Sequence, residues 1–138
     1  MNILDLPSMK LFVSDLQHCE KSSEAINPSV KTVSWEIKVL GKKKLFGCVW
    51  VQGLVVQKSE KGDEMVLDDG TGTAWIVGCD KVPPACPRVK PGQYAMVIGV
   101  MTAGGPEPTI RGIKIQDLSG CMIAESMWML EVIDCAST

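Results

Sequence analysis

Histidine and tyrosine occur once each in this chain, and aromatic residues make up only 5% of it. The lone imidazole, His18, has no second histidine to help it hold zinc, and no CxxC pair is present to take that role. A serine–histidine–acid set would rest on the same residue, and a cysteine nucleophile would find no identifiable base. No lysine follows a glycine-rich loop at the spacing of a phosphate-binding Walker motif. An enzyme is therefore not expected, and neither is a metal or any other cofactor. Positive charge is short as well: 14 Lys and Arg face 16 Asp and Glu, for a formal charge of −2 and a pI near 5.4. A small acidic protein lacks the electrostatic footprint of a general nucleic-acid binder.

Two further absences bear on compartment. No apolar run approaches the ~20 residues of a membrane span. The opening "MNILDLPSMK" carries an acid at Asp5, with no positive n-region and no long apolar h-region, so no secretory signal is expected. Outside an oxidising compartment, the six cysteines (Cys19, Cys48, Cys79, Cys86, Cys121, Cys135) are expected as small buried hydrophobes or free thiols. A soluble intracellular protein is the expectation.

What is present is β-rich and compact. With 138 residues, 46% apolar and 22% charged, the chain suits one globular domain. Residues 1–40 read as an N-terminal arm and loop: Pro7, Pro28 and the polar "EKSSEAINPS" surround one ordered piece, "MKLFVSDLQ". The lysines at 42–44 read as a solvated loop. A long strand is expected in "LFGCVWVQGLVVQ", with Gly53 marking a bend or bulge. "MVLDD" and "TAWIVGC" follow as second and third strands around an Asp-Gly turn, a strong hairpin signal. Pro83, Pro84, Pro87 and Pro91 make the next segment a rigid connection. "QYAMVIGVM" and "TIRGIKIQDL" supply strands four and five; Arg111, Ile113 and Ile115 share one face of the last, and Ile110, Gly112 and Lys114 the other. The end changes to helical period from about Ser119, a plausible N-cap. Five strands and a terminal helix over residues 41–138 are the order of an OB-fold barrel, mostly β.

Three stretches compete as sites. "VLDDGTGT", Val66 to Thr73, mixes aspartate, glycine and threonine like a metal or phosphate loop. It lacks the lysine of one and the distal ligands of the other, and it reads better as a turn. A single-stranded nucleic-acid groove would draw on Trp75, but the loops "KSEKGDE" and "TAGGPEPT" supply no net positive charge and no aromatic; Trp35, Trp50 and Trp75 read as core or interface residues. The terminal helix is apolar on two sides. Ile123, Met127 and Leu130 form one stripe and are expected on the barrel. Trp128, Val132 and Cys135 form another, expected with Met129 to meet a partner; the alternative is that Leu11, Phe12 and Leu16 of the arm fold over it.

The stretches "VWVQGLVV", "KPGQYAMVIGV", "PEPTIRGIKIQDLS" and "ESMWMLEVID" together resemble the RecQ-mediated genome instability protein 2 family, over about Cys48 to Asp134. "VSDLQ", "LDDGTG" and "LEVID" are more distantly similar to the OB-fold middle subunit of replication protein A. From "CEKSSEAINPS" through "VLGKKK" the chain departs from the family pattern. The resemblance implies a non-catalytic nuclear subunit that heterodimerises with the C-terminal OB domain of RecQ-mediated genome instability protein 1. Through it, the pair joins topoisomerase III and a Bloom-type RecQ helicase in double Holliday junction dissolution. Lys114 and Trp128 match family positions tied to assembly. A single-stranded DNA-binding subunit of a replication-protein-A-like or telomere complex is the alternative.

Overall fold

The computed structural model describes residues 8–23, 34–83 and 89–137. Pro7, Pro28 and, in the proline-rich connection, Pro84, Cys86 and Pro87 lie outside the described residues. Strand β1 (Ser8–Lys10), the short helix α1 (Val13–Leu16) and strand β2 (Glu20–Ser22) precede β3 (Ser34–Val39) and β4 (Lys42–Phe46). Then come β5 (Cys48–Lys58), β6 (Glu64–Asp68), β7 (Thr73–Val77), β8 (Tyr94–Ala103), β9 (Thr109–Asp117) and helix α2 (Met122–Ala136).

Five of these strands close on themselves. β5 pairs antiparallel with β6, β6 with β7, β7 runs parallel to β9, β9 pairs antiparallel with β8, and β8 returns to β5. This is the connectivity of an OB-fold barrel, and closure leaves no free edge in the ring. Alternate residues point inward, so Val49, Val51, Val55, Leu67, Ile76, Val97 and Ile110 fill the interior with no exposed surface. One strand, β5, serves two neighbours: residues 49–54 pair with β8 and 54–58 with β6. The changeover needs Gly53, where an added Cβ would stand 2.6 Å from the Asp68 carbonyl oxygen. The expected bend is there, and its cause is close backbone approach.

Several expectations change in detail. The long first strand divides at Gly47 into β4 and β5, because residues 42–46 pair with β3 in a separate three-stranded sheet, β2-β3-β4. The three lysines therefore sit on a strand: Lys43 pairs with Glu36 at 3.5 Å, and Lys44 donates to the Ala136 carbonyl at 2.8 Å. In β9 the register skips between the Ile98–Lys114 and Gly99–Gly112 pairs, leaving Ile113 as a bulge. Ile110 and Gly112 are buried before it and Ile115 after it, so the expected simple alternation of faces breaks at that point. Helix α2 begins at Met122 with Cys121 as its N-cap, two residues beyond Ser119, whose hydroxyl instead accepts the Tyr94 N–H at 2.8 Å.

Residues 8–23 and 34–40 do more than hang beside the barrel. β1 lies parallel to β5, and Leu11, Val13, Leu16, Trp35 and Ile37 belong to the same buried cluster as the barrel interior. Trp35 donates its indole N–H to the Met101 carbonyl at 3.1 Å.

Candidate partner interface on the terminal helix

The rotation of α2 about its axis is fixed from below. Lys10 of β1 reaches the Glu131 carboxylate at 3.0 Å while lying 4.5 Å from the centre of the Trp50 ring. Lys44 of β4 donates to the carbonyls of Cys135 and Ala136, where the helix presents its negative end. At the other end, Asp117 accepts the Ser119 N–H at 2.9 Å, and bonding to the Ser119 hydroxyl and then to this N–H holds its carboxyl below the usual range. These contacts turn Trp128 (4% exposed) and Val132 (3% exposed) onto the outer wall of the barrel, where Gln52 and Met96 are also buried. Cys135, half-buried, packs against the main core.

This reverses the expected division of labour between the stripes. Trp128, Val132 and Cys135 face the barrel. Ile123 (71% exposed), Met127 and Leu130 (56% exposed) face outward, joined by Met122, Met129 and Ile133. Both stripes are apolar, so periodicity found them without saying which one lies inward; the cations at Lys10 and Lys44 decide it. At ~100° per residue the six exposed side chains occupy one arc of roughly 160° centred opposite Trp128. Among its described residues the arm meets the inward stripe and not that arc: β1 packs against α2 and Phe12 lines the groove beside Trp128, while Leu11 and Leu16 are committed to the core. Of the residues expected at a partner surface, Met129 and Lys114 are exposed. Register puts Lys114 in one outward row with Trp50 and Ile98, on the wall that α2 crosses.

A groove of about 620 Å³ runs between α2 and the β6–β7 turn. Leu54, Trp128, Met129 and Ile133 line it, and Asp68, Asp69 and Glu125 edge it. The Trp128 indole N–H at its side finds no acceptor among the described residues. Tyr94, also in the groove, bonds Gln52 at 3.2 Å; burial first, then the charges of Glu125, Asp69 and Glu131, push its phenol up to about 12.

The turn that suggested chemistry is a clasp. Asp69 Oδ2 accepts the Val13 N–H at 2.7 Å, and Oδ1 accepts the Thr71 N–H at 2.8 Å and the Thr71 hydroxyl at 2.6 Å. The Thr71 oxygen in turn accepts the Ser14 N–H at 3.0 Å. The first amides of α1 are thus capped by residues over fifty positions away, a link that no local motif could announce. The face where OB-folds take single strands, on β6, β7 and β9, shows Trp75 (41% exposed) opposite Val66, with Arg111 beside Val77. Trp75 is therefore neither core nor covered in this chain. Glu64 and Asp68, at the two ends of β6, set negative charge on the same face. No group of three or more metal-ligating side chains gathers among the described residues.

A closed five-strand barrel, with an arm packed into its core and a helix crossing its wall, defines the OB-fold class. Solved structures of that class share the fold. A chain of a replication protein A heterotrimer bound to ssDNA aligns with a TM-score of 0.63 over 93% of both chains, at 11% identity. A chain of the S. pombe Stn1-Ten1 complex aligns with a TM-score of 0.62 over 90% of this chain and 87% of that one, at 12% identity. Residues 7–136 match the RecQ-mediated genome instability protein 2 family, and the chain belongs to it. The Gallus gallus relative is 32% identical over 128 residues, covering 80% of this chain and 93% of that protein. The Mus musculus relative is 42% identical over 86 residues, covering 62% of this chain and 56% of its own; for Bos taurus the figures are 38%, 104, 73% and 65%. The match therefore spans less than two thirds of these two mammalian relatives.

Proposed function

We propose that this protein is a non-catalytic OB-fold scaffold subunit that heterodimerises through the outer face of α2. Its partner is the C-terminal OB domain of RecQ-mediated genome instability protein 1. In this reading the pair works in the nucleus with topoisomerase III and a Bloom-type RecQ helicase, stabilising the complex that dissolves double Holliday junctions. Support comes from one observation above all: six large apolar side chains exposed on a single helix face. A patch of that kind on a small soluble domain marks an interface. Residues carrying the contact are Leu130, Ile123, Met127 and Met129, with Lys114 at the margin; Trp128, Val132 and Cys135 support them from beneath.

Co-expression with that OB domain, followed by size exclusion with light scattering, tests the reading. The wild-type chain gives a 1:1 species. Leu130→Glu, at an exposed position, keeps its fold by circular dichroism and weakens the pair by about 30-fold or more, as for loss of a central anchor. A Leu130→Glu chain that still co-elutes stoichiometrically sinks the helix interface. A second reading, a single-stranded DNA-binding subunit, draws on Trp75 alone; it requires oligonucleotide binding at ~50 mM salt that falls steeply as salt rises.

A further inference from the structure

The hairpin of β3 and β4 turns through a two-residue loop, Leu40 and Gly41, with φ of 53° and 77°. Positive φ at both positions is the turn that asparagine–glycine fills with little strain. Leucine is a misfit there, because its Cβ crowds the following carbonyl oxygen. Among the described residues no other side chain, glycines aside, takes a positive φ. Packing does not compensate: Leu40 is 75% exposed, and a Cβ added at Gly41 would meet nothing within 4 Å. A strained bulky residue with an open side chain points to a use outside the fold.

Charge singles out the same tip. Residues 37–45, "IKVLGKKKL", hold four lysines and no acid, in a chain whose formal charge is −2. Lys38 stands directly opposite Lys43, a like-charge juxtaposition that weakens a hairpin. Lys43 leans back to Glu36 at 3.5 Å and Lys44 is committed to the end of α2, whereas Lys38 and Lys42 reach into solvent. The inward face of the same ribbon, with Trp35, Ile37 and Phe46, is buried in the core. An anchored root thus presents a basic, leucine-tipped point.

We propose that the β3–β4 tip is a contact site for double-stranded nucleic acid. Lys38, Lys42 and Lys43 lie on phosphates, and Leu40 meets base edges in the groove between them. A two-stranded ribbon is of a size to enter the major groove of a duplex. Phosphate repels the acidic barrel and attracts this point, which orients the chain tip-first. An anionic membrane would also meet the lysines, but one leucine offers too little apolar surface to hold there. Three phosphate contacts make a weak grip that is indifferent to sequence. Within a larger assembly such a grip counts through effective concentration. It uses neither the β6–β7–β9 face nor the outer face of α2, so it stands or falls apart from the function proposed above.

The probe is a DNA duplex of about 20 base pairs and arbitrary sequence, titrated into the full chain at ~20 mM salt. NMR shifts are expected at Lys38, Leu40, Gly41, Lys42 and Lys43. Affinity by fluorescence anisotropy should fall with salt at a log–log slope of about −2.7, as three phosphates require. Lys38→Gln and Lys42→Gln should each flatten that slope by about 0.9. Leu40→Asn separates use from fold. It suits the turn better and should raise the melting temperature by about 2–5 °C. Duplex binding should nevertheless weaken about threefold or more, with the slope unchanged. Leu130→Glu should leave the titration as it was. Absence of shifts at the tip with duplex at ~0.5 mM, or shifts centred on Trp75 instead, would overturn the proposal. So would a Leu40→Asn chain that binds as tightly as the wild type, or tighter binding through the same lysines to phosphatidylserine vesicles than to the duplex.

Discussion

Replacing Asp69 with alanine is expected to loosen the whole segment from Leu11 to Leu16 while leaving the β6–β7 hairpin paired. The carboxylate accepts three hydrogen bonds, at 2.7, 2.8 and 2.6 Å, and it positions the Thr71 hydroxyl that accepts a fourth from Ser14. An N-cap acceptor contributes ~1 kcal/mol, and a hydrogen bond to a charged group ~1.5–3 kcal/mol. Asp69 is half-buried, so water takes over part of what is lost, and the net cost comes to about 2 kcal/mol. For a domain of this size that lowers the melting temperature by about 6 °C. Asp68 is the natural control. It has the same charge and the neighbouring position, but among the described residues it accepts only the Gly70 N–H, at 2.8 Å within its own turn. Asp68→Ala should cost less than about 1 kcal/mol. Calorimetry gives the two melting temperatures, and hydrogen exchange at Val13 and Ser14 locates the effect. If Asp69→Ala melts with Asp68→Ala, and the α1 amides exchange as in the wild type, the clasp is wrong.

Two further outcomes follow from burial. Trp128→Phe removes an indole N–H that has no partner, recovering a desolvation cost of ~1–3 kcal/mol against the apolar area surrendered. Urea unfolding should therefore place it within about 1 kcal/mol of wild type. Trp128→Ala should lose ~3–5 kcal/mol, and a Phe variant as damaged as the Ala variant would contradict the orphaned donor. Burial also pushes the Cys19 thiol up to about 12 and that of Cys79 to about 11, and raises Cys48, whereas Cys121 is exposed. Native labelling with iodoacetamide is expected at Cys121, with the three buried thiols reacting only in denaturant; rapid native labelling of Cys19 or Cys79 would refute their burial. Because these folded values are raised, their contribution to stability is complete below the unfolded thiol value of ~8.5 and drains away as pH climbs through 11 and 12.

The barrel was legible because its signals are local. Asp-Gly between apolar runs announced β6 and β7, alternation marked the inward residues, and Gly53 betrayed the point where β5 changes neighbours. The terminal helix was legible as a helix by its period, and its two apolar sides were legible too. Its orientation was not, because a helix with two apolar stripes carries no internal sign of which one is inside. That choice rests on Lys10 and Lys44, separated from Glu131 and Ala136 by 121 and 92 positions. The same holds for the arm, read from the sequence only as one short ordered piece: its apolar residues join the main core, and Asp69 and Met101 bond to it from across the sequence. What was missed is what long-range polar contacts decide.

The exposed face of α2 combines a fixed frame with soft contents. Its backbone is pinned at both ends, by the Asp117–Ser119 turn and by Lys44, so little main-chain freedom is surrendered when the face is covered. Three of its six outward side chains, Met122, Met127 and Met129, are unbranched thioethers that can reshape themselves against whatever meets them. Such a surface pays its ordering entropy in advance and keeps its tolerance in the side chains, so a partner of the kind proposed could drift in sequence at the contact without the docking geometry moving.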